Sequence, residues 1–546
     1  MRKRKQWIAW LLAGVMAFSL AGCGGGGGET TAASEAEAVS TEAGARDTES
    51  TEASSAGGSA AAGEETGEPK RGGIYRSAES VVPMSFFTVT ASSTNADLFV
   101  APAIEPLARI YKDGTYDLLL AESMERDDEN LTLTVKLREG IKFHDGSDLN
   151  AEVLKWTIDT SLEAGRAAAL GNPTEARIVD DYTVEIQFDT YSLEWETLIG
   201  KIYMHSQKAY EEHGEDWCKV NMVGTGPYIL ENYDPDTKLT FVKNEDYWQG
   251  EPYLDGMEIV CLTEGTTAAS AFLNKEVDFY MSDNSQIIDM ILAGGYENTS
   301  LGMPADITIG VFYPNSTIEG DPWNNQQVRQ AVFRYGIDWD AVAYAAKGQY
   351  AYASNQFGIT GSYHFDDDLE DPAYDVEKAK SLLAEAGYPD GFSTTIYCTA
   401  SNSRDATAIQ ASLAELNIQA EVDILTTLTE LRETGTTPGI MLGLSPGYLD
   451  IASTLKRVYS REGSYGKVMD VSDEYEETLN NALSARTLEE KIEYLKQCSR
   501  LLSYDECVLE AMWICPTYMF QQDYVEGLNR DVVAYGYSAE DIWLNQ

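Results

Sequence analysis

The sequence predicts an α/β fold of several domains, on three observations. A chain of 546 residues is too long to close around one hydrophobic core. Its first half carries strands in clean alternation: Leu131, Leu133, Val135 and Leu137 against Thr132, Thr134 and Lys136, then Tyr182, Val184, Ile186 and Phe188. Its second half alternates amphipathic helices with strands between residues 325 and 502, the order that builds layered α/β units.

In chain order, the first 23 residues read as a leader. Arg2-Lys3-Arg4-Lys5 is a positive start, and Trp7 to Leu20 is an apolar run shorter than the ~20 residues a membrane span needs. It ends in Leu20-Ala21-Gly22-Cys23, which matches the bacterial lipobox, so Cys23 is expected to become the lipidated first residue. Two acyl chains suffice for stable anchoring where one is marginal. Residues 24–70 are Gly, Ala, Ser, Thr and Glu-rich and cannot bury enough surface to fold. They read as a disordered acidic tether with a reach of roughly 35–40 Å.

The folded part is expected to open at Arg71-Gly72-Gly73-Ile74-Tyr75. A helix through Leu98 to Leu107 should follow, ending in Glu105-Pro106-Leu107. His144-Asp145-Gly146 reads as a turn rather than a metal or acid–base pair, because Asp-Gly is a turn signal. Gly224-Thr225-Gly226-Pro227-Tyr228 reads as a loop entering a strand, with the glycines allowing tight conformations and Pro227 fixing φ. Leu239 and Phe241 place one face of a strand inward, and another strand is expected at 257–262.

Further on, Val376, Ala379, Leu382, Leu383 and Ala386 share one helical face. Asp375 can cap that helix at its start, Gly387 at its end, and Pro389 prevents its continuation. A strand at 394–398, a helix at 406–416, a strand at 420–425 and a helix at 488–502 complete the alternation.

The formal charge of −50 excludes nucleic acid as a partner, since phosphates would be repelled. Six cysteines follow Cys23, none in a CxxC pair, so structural zinc is not expected and buried free thiols are. Gly443-Leu444-Ser445-Pro446-Gly447 matches the GxSxG nucleophile elbow. All four histidines precede Ser445, however, and Pro446 lacks the N–H an oxyanion hole would need there. Neither a P-loop nor HExxH occurs. The sequence therefore predicts no catalysis, no metal site and no cofactor.

Several of these segments, in this order, resemble the family 5 extracytoplasmic solute-binding proteins of ABC importers, the peptide- and nickel-binding type. The matching stretches are Glu105-Pro106-Leu107, the run from Leu137-Arg138 through Phe143-His144-Asp145-Gly146 to Val153, Gly224–Tyr228 with Lys243-Asn244 and Tyr247-Trp248, Val328-Arg329-Gln330-Ala331, and the helix ending Ala386-Gly387-Tyr388. The resemblance implies a type II periplasmic-binding-protein-like fold, two lobes with a hinge, and three domains. Domain I would comprise 71–106, 223–318 and 516–546, domain II 107–222, and domain III 319–515.

The resemblance also implies a monomeric, lipid-anchored extracytoplasmic protein that captures a peptide or other small molecule and passes it to a permease with its ATPase. Ligand contacts would come from Phe86 and Phe87 in domain I, and from Gln356, Phe357, Leu444, Ser445, Gly447, Tyr448 and Asp450 in domain III. In the peptide binders a W-x-x-D-x-x-D/E-P stretch supplies an Asp for the peptide's α-ammonium. Here Leu444 stands at the Trp position, Gly447 at that Asp and Ile451 at the Pro, with only the second acid, Asp450, kept. That departure leaves transport intact and weighs against ordinary peptide binding, since a buried ammonium needs a counter-charge. Peptide, modified peptide, glycoside and metal chelate stay open as solutes, and a surface sensor or chaperone-like lipoprotein is the alternative role.

Overall fold

The computed structural model describes residues 68–546 except 92–95, 301–306, 355, 370–372 and 533–535. The predicted leader, the lipidation site Cys23 and the tether up to residue 67 lie outside the described residues.

Strand β1 (Ile74–Glu79) opens the fold, and a small hairpin of β2 (Ala108–Ile110) and β3 (Tyr116–Leu118) follows. Next come β4 (Ala121–Asp127), β5 (Thr132–Leu137), β6 (Pro173–Asp180) and β7 (Thr183–Phe188), in the spatial order β4-β5-β7-β6 and antiparallel throughout. The alternation read from the sequence sets its inner face: Leu133, Val135, Leu137, Val184, Ile186 and Phe188 are buried together. The helix Ala151–Glu163 covers that face with Val153, Leu154 and Ile158. It starts where Asn150 Oδ1 accepts from the backbone N–H of Glu152 and Val153.

The chain then returns to β1 through β8 (Tyr228–Asp234), β9 (Lys238–Lys243), β10 (Gly256–Cys261) and β11 (Phe279–Ser282). β1 lies between β10 and β11, parallel to both, with Ile74 opposite Gly256. A late segment of the chain closes this sheet, because β17 (Tyr518–Gln521) pairs antiparallel with β11. Leu239 and Phe241 point into its core, as their spacing predicts.

The third unit holds β12 (Ile307–Pro314), β13 (Ser393–Cys398), β14 (Gln419–Ile424), β15 (Ile440–Gly447) and β16 (Glu510–Pro516), ordered β14-β13-β15-β12-β16. The helix Ser403–Glu415 connects the parallel pair β13 and β14. The helix Val376–Glu385 is capped as expected, with Asp375 Oδ1 accepting from Lys378 N at 3.0 Å.

Two expectations are corrected. Strand β12 hydrogen-bonds to β15 and β16, so residues 307–314 belong to the third sheet and the second segment of domain I ends before 307, not at 318. The helix expected over 98–107 spans only Ala96–Val100. Pro102 has no N–H to continue it, and Pro106 turns Glu105 away from helical geometry.

Candidate functional site

The connection between the first two sheets is built from three chain segments that cross at short range. Gly226 N donates to Ala103 O at 3.0 Å and Tyr228 N to Pro102 O at 2.9 Å. Met204 N donates to Glu105 O at 2.9 Å and Ser206 N to Val223 O at 3.0 Å. Neither Gly224 nor Gly226 adopts a positive φ. Glycine is required here for close approach instead: a Cβ on Gly224 would lie 2.1 Å from Ala103 O, and one on Gly226 would lie 2.8 Å from Pro102 O.

Three stretches far apart in sequence meet at this crossing. The Glu105 carboxylate accepts from Thr225 Oγ1 at 2.7 Å, Tyr247 Oη at 2.6 Å and Trp248 Nε1 at 2.9 Å. Burial nevertheless pushes Glu105 up to about 7, against the pull of those three donors. His144 sits on the same crossing, its Nε2 3.0 Å from Gly226 O, and Asp145 closes the predicted turn by accepting from Ser147 N and Oγ. A small, partly open hollow adjoins it, lined among others by Glu105, Arg109, Tyr203, Tyr537 and Glu540.

A second contact joins the four-stranded unit to the five-stranded unit. Lys491 is 2% exposed. Its Nζ lies 2.6 Å from Asp450 Oδ2 and 3.4 Å from Glu194 Oε2. Ser453 Oγ also donates to Glu194, at 3.1 Å to Oε2. Arg486 lies over the Tyr191 ring at 3.8 Å. Glu194 is raised above the usual carboxylate range by burial and by the Asp450 charge, while Lys491 pulls it back.

Beside this triad three charges stand without an ion pair or side-chain hydrogen bond among the described residues: Asp97, Lys201 and Arg457. Lys201 touches water, yet its ammonium is held below its ordinary pKa by the protein around it, with Asp97 and Glu194 opposing that shift and Arg166 and Arg457 adding to it. Burial pushes Asp97 up to about 7, with Lys201 and Arg166 opposing.

The sequence-predicted site residues divide into two groups. Leu444, Ser445 and Gly447 lie on β15, followed by Tyr448 and Asp450, so five of them share one segment. Leu444 is exposed, Ser445 and Gly447 are buried, and Tyr448 is half-buried. Asp450 is committed on both oxygens, one to Lys491 and the other to Ala452 N at 2.9 Å.

The other four are interior packing residues. Phe86 meets Tyr233 with ring centroids 5.1 Å apart, and Phe87 stacks on Tyr210 at 5.4 Å. Phe357 packs on Tyr459, and Gln356 is tied to the backbone of Asp366 through both its amide groups. The six described cysteines are free, five of them buried. No group of His, Cys, Asp and Glu among the described residues is placed to hold a metal ion.

Sequence reasoning missed Glu194, Lys201, Arg457 and Lys491. For Lys491 a signal existed: it shares a helical stripe with Leu495 and Cys498, and a lysine on an apolar stripe needs a partner.

The family model for bacterial extracellular solute-binding proteins, family 5, matches residues 115–466. The chain belongs to that family. The glutathione-binding protein GsiB of Salmonella typhi is 29% identical over 354 residues, 62% of this chain and 68% of that one. Among solved structures, the substrate-binding protein CtaP of Listeria monocytogenes superposes with a TM-score of 0.75 at 20% identity, over 87% of this chain and all of that one. DppA of Helicobacter pylori, in complex with the peptide STSA, gives 0.73 at 19% identity, over 87% and 99%. The family 5 fold is two-lobed and mixed α/β, of the periplasmic peptide-binding type, and its members bind solutes outside the cytoplasm for ABC importers rather than catalyse reactions. The Lys491 triad joins the four-stranded unit to the five-stranded unit.

Proposed function

We propose that this family 5 protein captures a peptide or peptide-like solute between its lobes and releases it to the permease of an ABC importer. The observation that carries the reading is the charge left unpaired beside the interlobe triad. Asp97, Lys201 and Arg457 make no ion pair or side-chain hydrogen bond among the described residues, and the desolvated members, Asp97 and Lys201, gain from further counter-charges. A solute carrying both signs supplies them. Glutathione, the compound GsiB is named for, is such a solute.

The test is a thermal-shift panel of di- and tripeptides, glutathione and neutral glycosides, together with native mass spectrometry of the purified protein. A solute at about a hundred times its dissociation constant adds about 2.7 kcal/mol of stability. The expected result is a shift with a zwitterionic peptide-like compound and none with neutral glycosides. A retained glycoside would sink the peptide-like part of the reading.

We further propose that the protein acts as a monomer, tethered to the outer face of the bacterial membrane through Cys23. Cys23→Ala is expected to release it into the soluble fraction or to leave the precursor uncleaved. Detergent partitioning of that variant as a processed lipoprotein would overturn the anchor.

A further inference from the structure

The five-stranded unit is attached to the six-stranded sheet of β1 and β11 by two chain crossings, and they run side by side. One leads from the helix Ser285–Ala293 into β12, the other from β16 into β17. Ile307 of β12 lies opposite Pro516 of β16. Beyond the sheet, Thr299 N donates to Met519 O at 2.8 Å and Met519 N to Asn298 Oδ1 at 3.0 Å. Two adjacent crossings alone would let the unit swing as on a hinge.

Beside these crossings one turn of the five-stranded unit reaches back to the six-stranded sheet. Lys347 ends the helix Trp339–Lys347, whose Val342 and Ala343 are buried with Phe312 and Trp513 in the core of the five-stranded unit. The Lys347 Nζ lies 2.5 Å from Oδ2 of Asp283, the residue after β11, and 4.8 Å from the centre of the Trp513 ring on β16. Trp513 is fixed in turn: its Nε1 donates to Asp405 at 2.9 Å, and a Cβ on Gly310 of β12 would strike its ring. Three residues on, Tyr350 Oη donates to Asp289, and its ring meets Tyr518 of β17 edge-on at 5.0 Å.

The second contact of the five-stranded unit lies on the four-stranded unit, where Lys491 and Ser453 hold Glu194 and Arg486 covers Tyr191. The four- and six-stranded units are locked to each other at the Gly224–Gly226 crossing by backbone hydrogen bonds and by the three donors on Glu105. They form one body, so both contacts demand the same orientation of the five-stranded unit.

We propose that the turn carrying Lys347 and Tyr350 is a brace coupled to the Lys491 triad, so that swinging the five-stranded unit away breaks both contacts in one step. The Lys347–Asp283 pair keeps 19% and 40% of its side-chain surface in water, and so accessible a pair contributes little to folding by itself. Its effect is to bias one orientation, and a bias on a shared orientation is felt at the triad as much as at Asp283. The coupling does not depend on which solute the protein carries.

Hydrogen exchange followed by mass spectrometry on the purified full chain tests the coupling without a ligand. In Lys347→Met, the amides of 191–201 and 448–457 are expected to exchange about three- to fivefold faster than in wild type, the effect of losing a partly exposed ion pair, while those of β5 and β7 keep their rates. Ser453→Ala removes a hydrogen bond from the far contact and should in turn speed exchange over 283–293 and 345–352. Lys347→Arg keeps the charge and should leave 191–201 and 448–457 as in wild type. If Lys347→Met fails to fold, Asp283→Asn breaks the ion pair with the Trp513 contact intact and carries the same expectation. Unchanged exchange at the distant contact, in either direction, overturns the proposal. Equal acceleration in Lys347→Arg overturns it too, as does acceleration that spreads equally to β5 and β7.

Discussion

Gly224→Ala is expected to destabilise the fold by more than about 3 kcal/mol, beyond the usual range for an inserted methyl group. The new Cβ would lie 2.1 Å from Ala103 O and 2.8 Å from Ile104 Cα, and both obstacles are backbone. Neither can turn aside without breaking the Gly226–Ala103 and Tyr228–Pro102 hydrogen bonds, and those bonds hold the crossing strands together. Displacement there would also draw Thr225 away from the Glu105 carboxylate, leaving a buried acid with fewer donors. Gly140→Ala is the control. Gly140 has φ +80° but open space around its Cβ direction, so only local backbone strain of about 1–2 kcal/mol is expected. Urea unfolding of both variants decides the matter, and a Gly224→Ala protein within about 1 kcal/mol of wild type would show that the crossing is slack.

The contrast between these glycines also shows how much of the fold a single sequence displays. Local features are legible. The alternation in β5 and β7 fixed which side chains face inward, and the Asp375 cap was visible as an Asp ahead of an apolar stripe. The reason for Gly224 was not visible, because close approach of Ala103 is a tertiary fact, and glycine's role read as conformational freedom instead. The same holds for Glu105: its donors sit 120 to 143 residues away, so each motif alone looked like an isolated signature.

Boundaries failed where sheets recruit strands across long gaps. β12 follows the first unit in sequence but pairs with strands beginning at 440 and 510. Resemblance drew attention to the 444–450 segment, where Asp450 meets Lys491. Its partner Lys491 lies 41 residues further on, and Glu194 belongs to another unit, so no spacing rule could have joined them.

Removing that partner gives the other large effect. In Lys491→Met the thioether fills much of the lysine stem's space but leaves Asp450 and Glu194 without their shared ammonium. Both oxygens lie within 3.4 Å of one nitrogen, so the two carboxylates confront each other once it is gone. Breaking a fully buried ion pair by deleting one member costs about 3–5 kcal/mol. The carboxylates here keep 16% and 22% of their side-chain surface in contact with solvent, so a loss of about 2–3 kcal/mol is expected.

The loss should depend on pH, and the sign follows from Glu194. Its folded-state pKa is already raised by burial and by Asp450, and removal of the Lys491 charge raises it further. A carboxyl whose pKa is higher folded than unfolded adds stability at low pH and loses it as pH rises through the folded value. Relative to wild type, Lys491→Met should therefore melt far lower at pH 8 than at pH 5. Adding Glu194→Gln removes one of the two facing charges while keeping an acceptor for Ser453, and should restore most of the stability at pH 8. Under the solute-capture proposal, solute affinity should fall in the single variant as well, since the triad ties the four-stranded unit to the five-stranded unit. If Lys491→Met melts like wild type at pH 8 and binds solute unchanged, the triad is a surface ornament and the lobes are held together elsewhere.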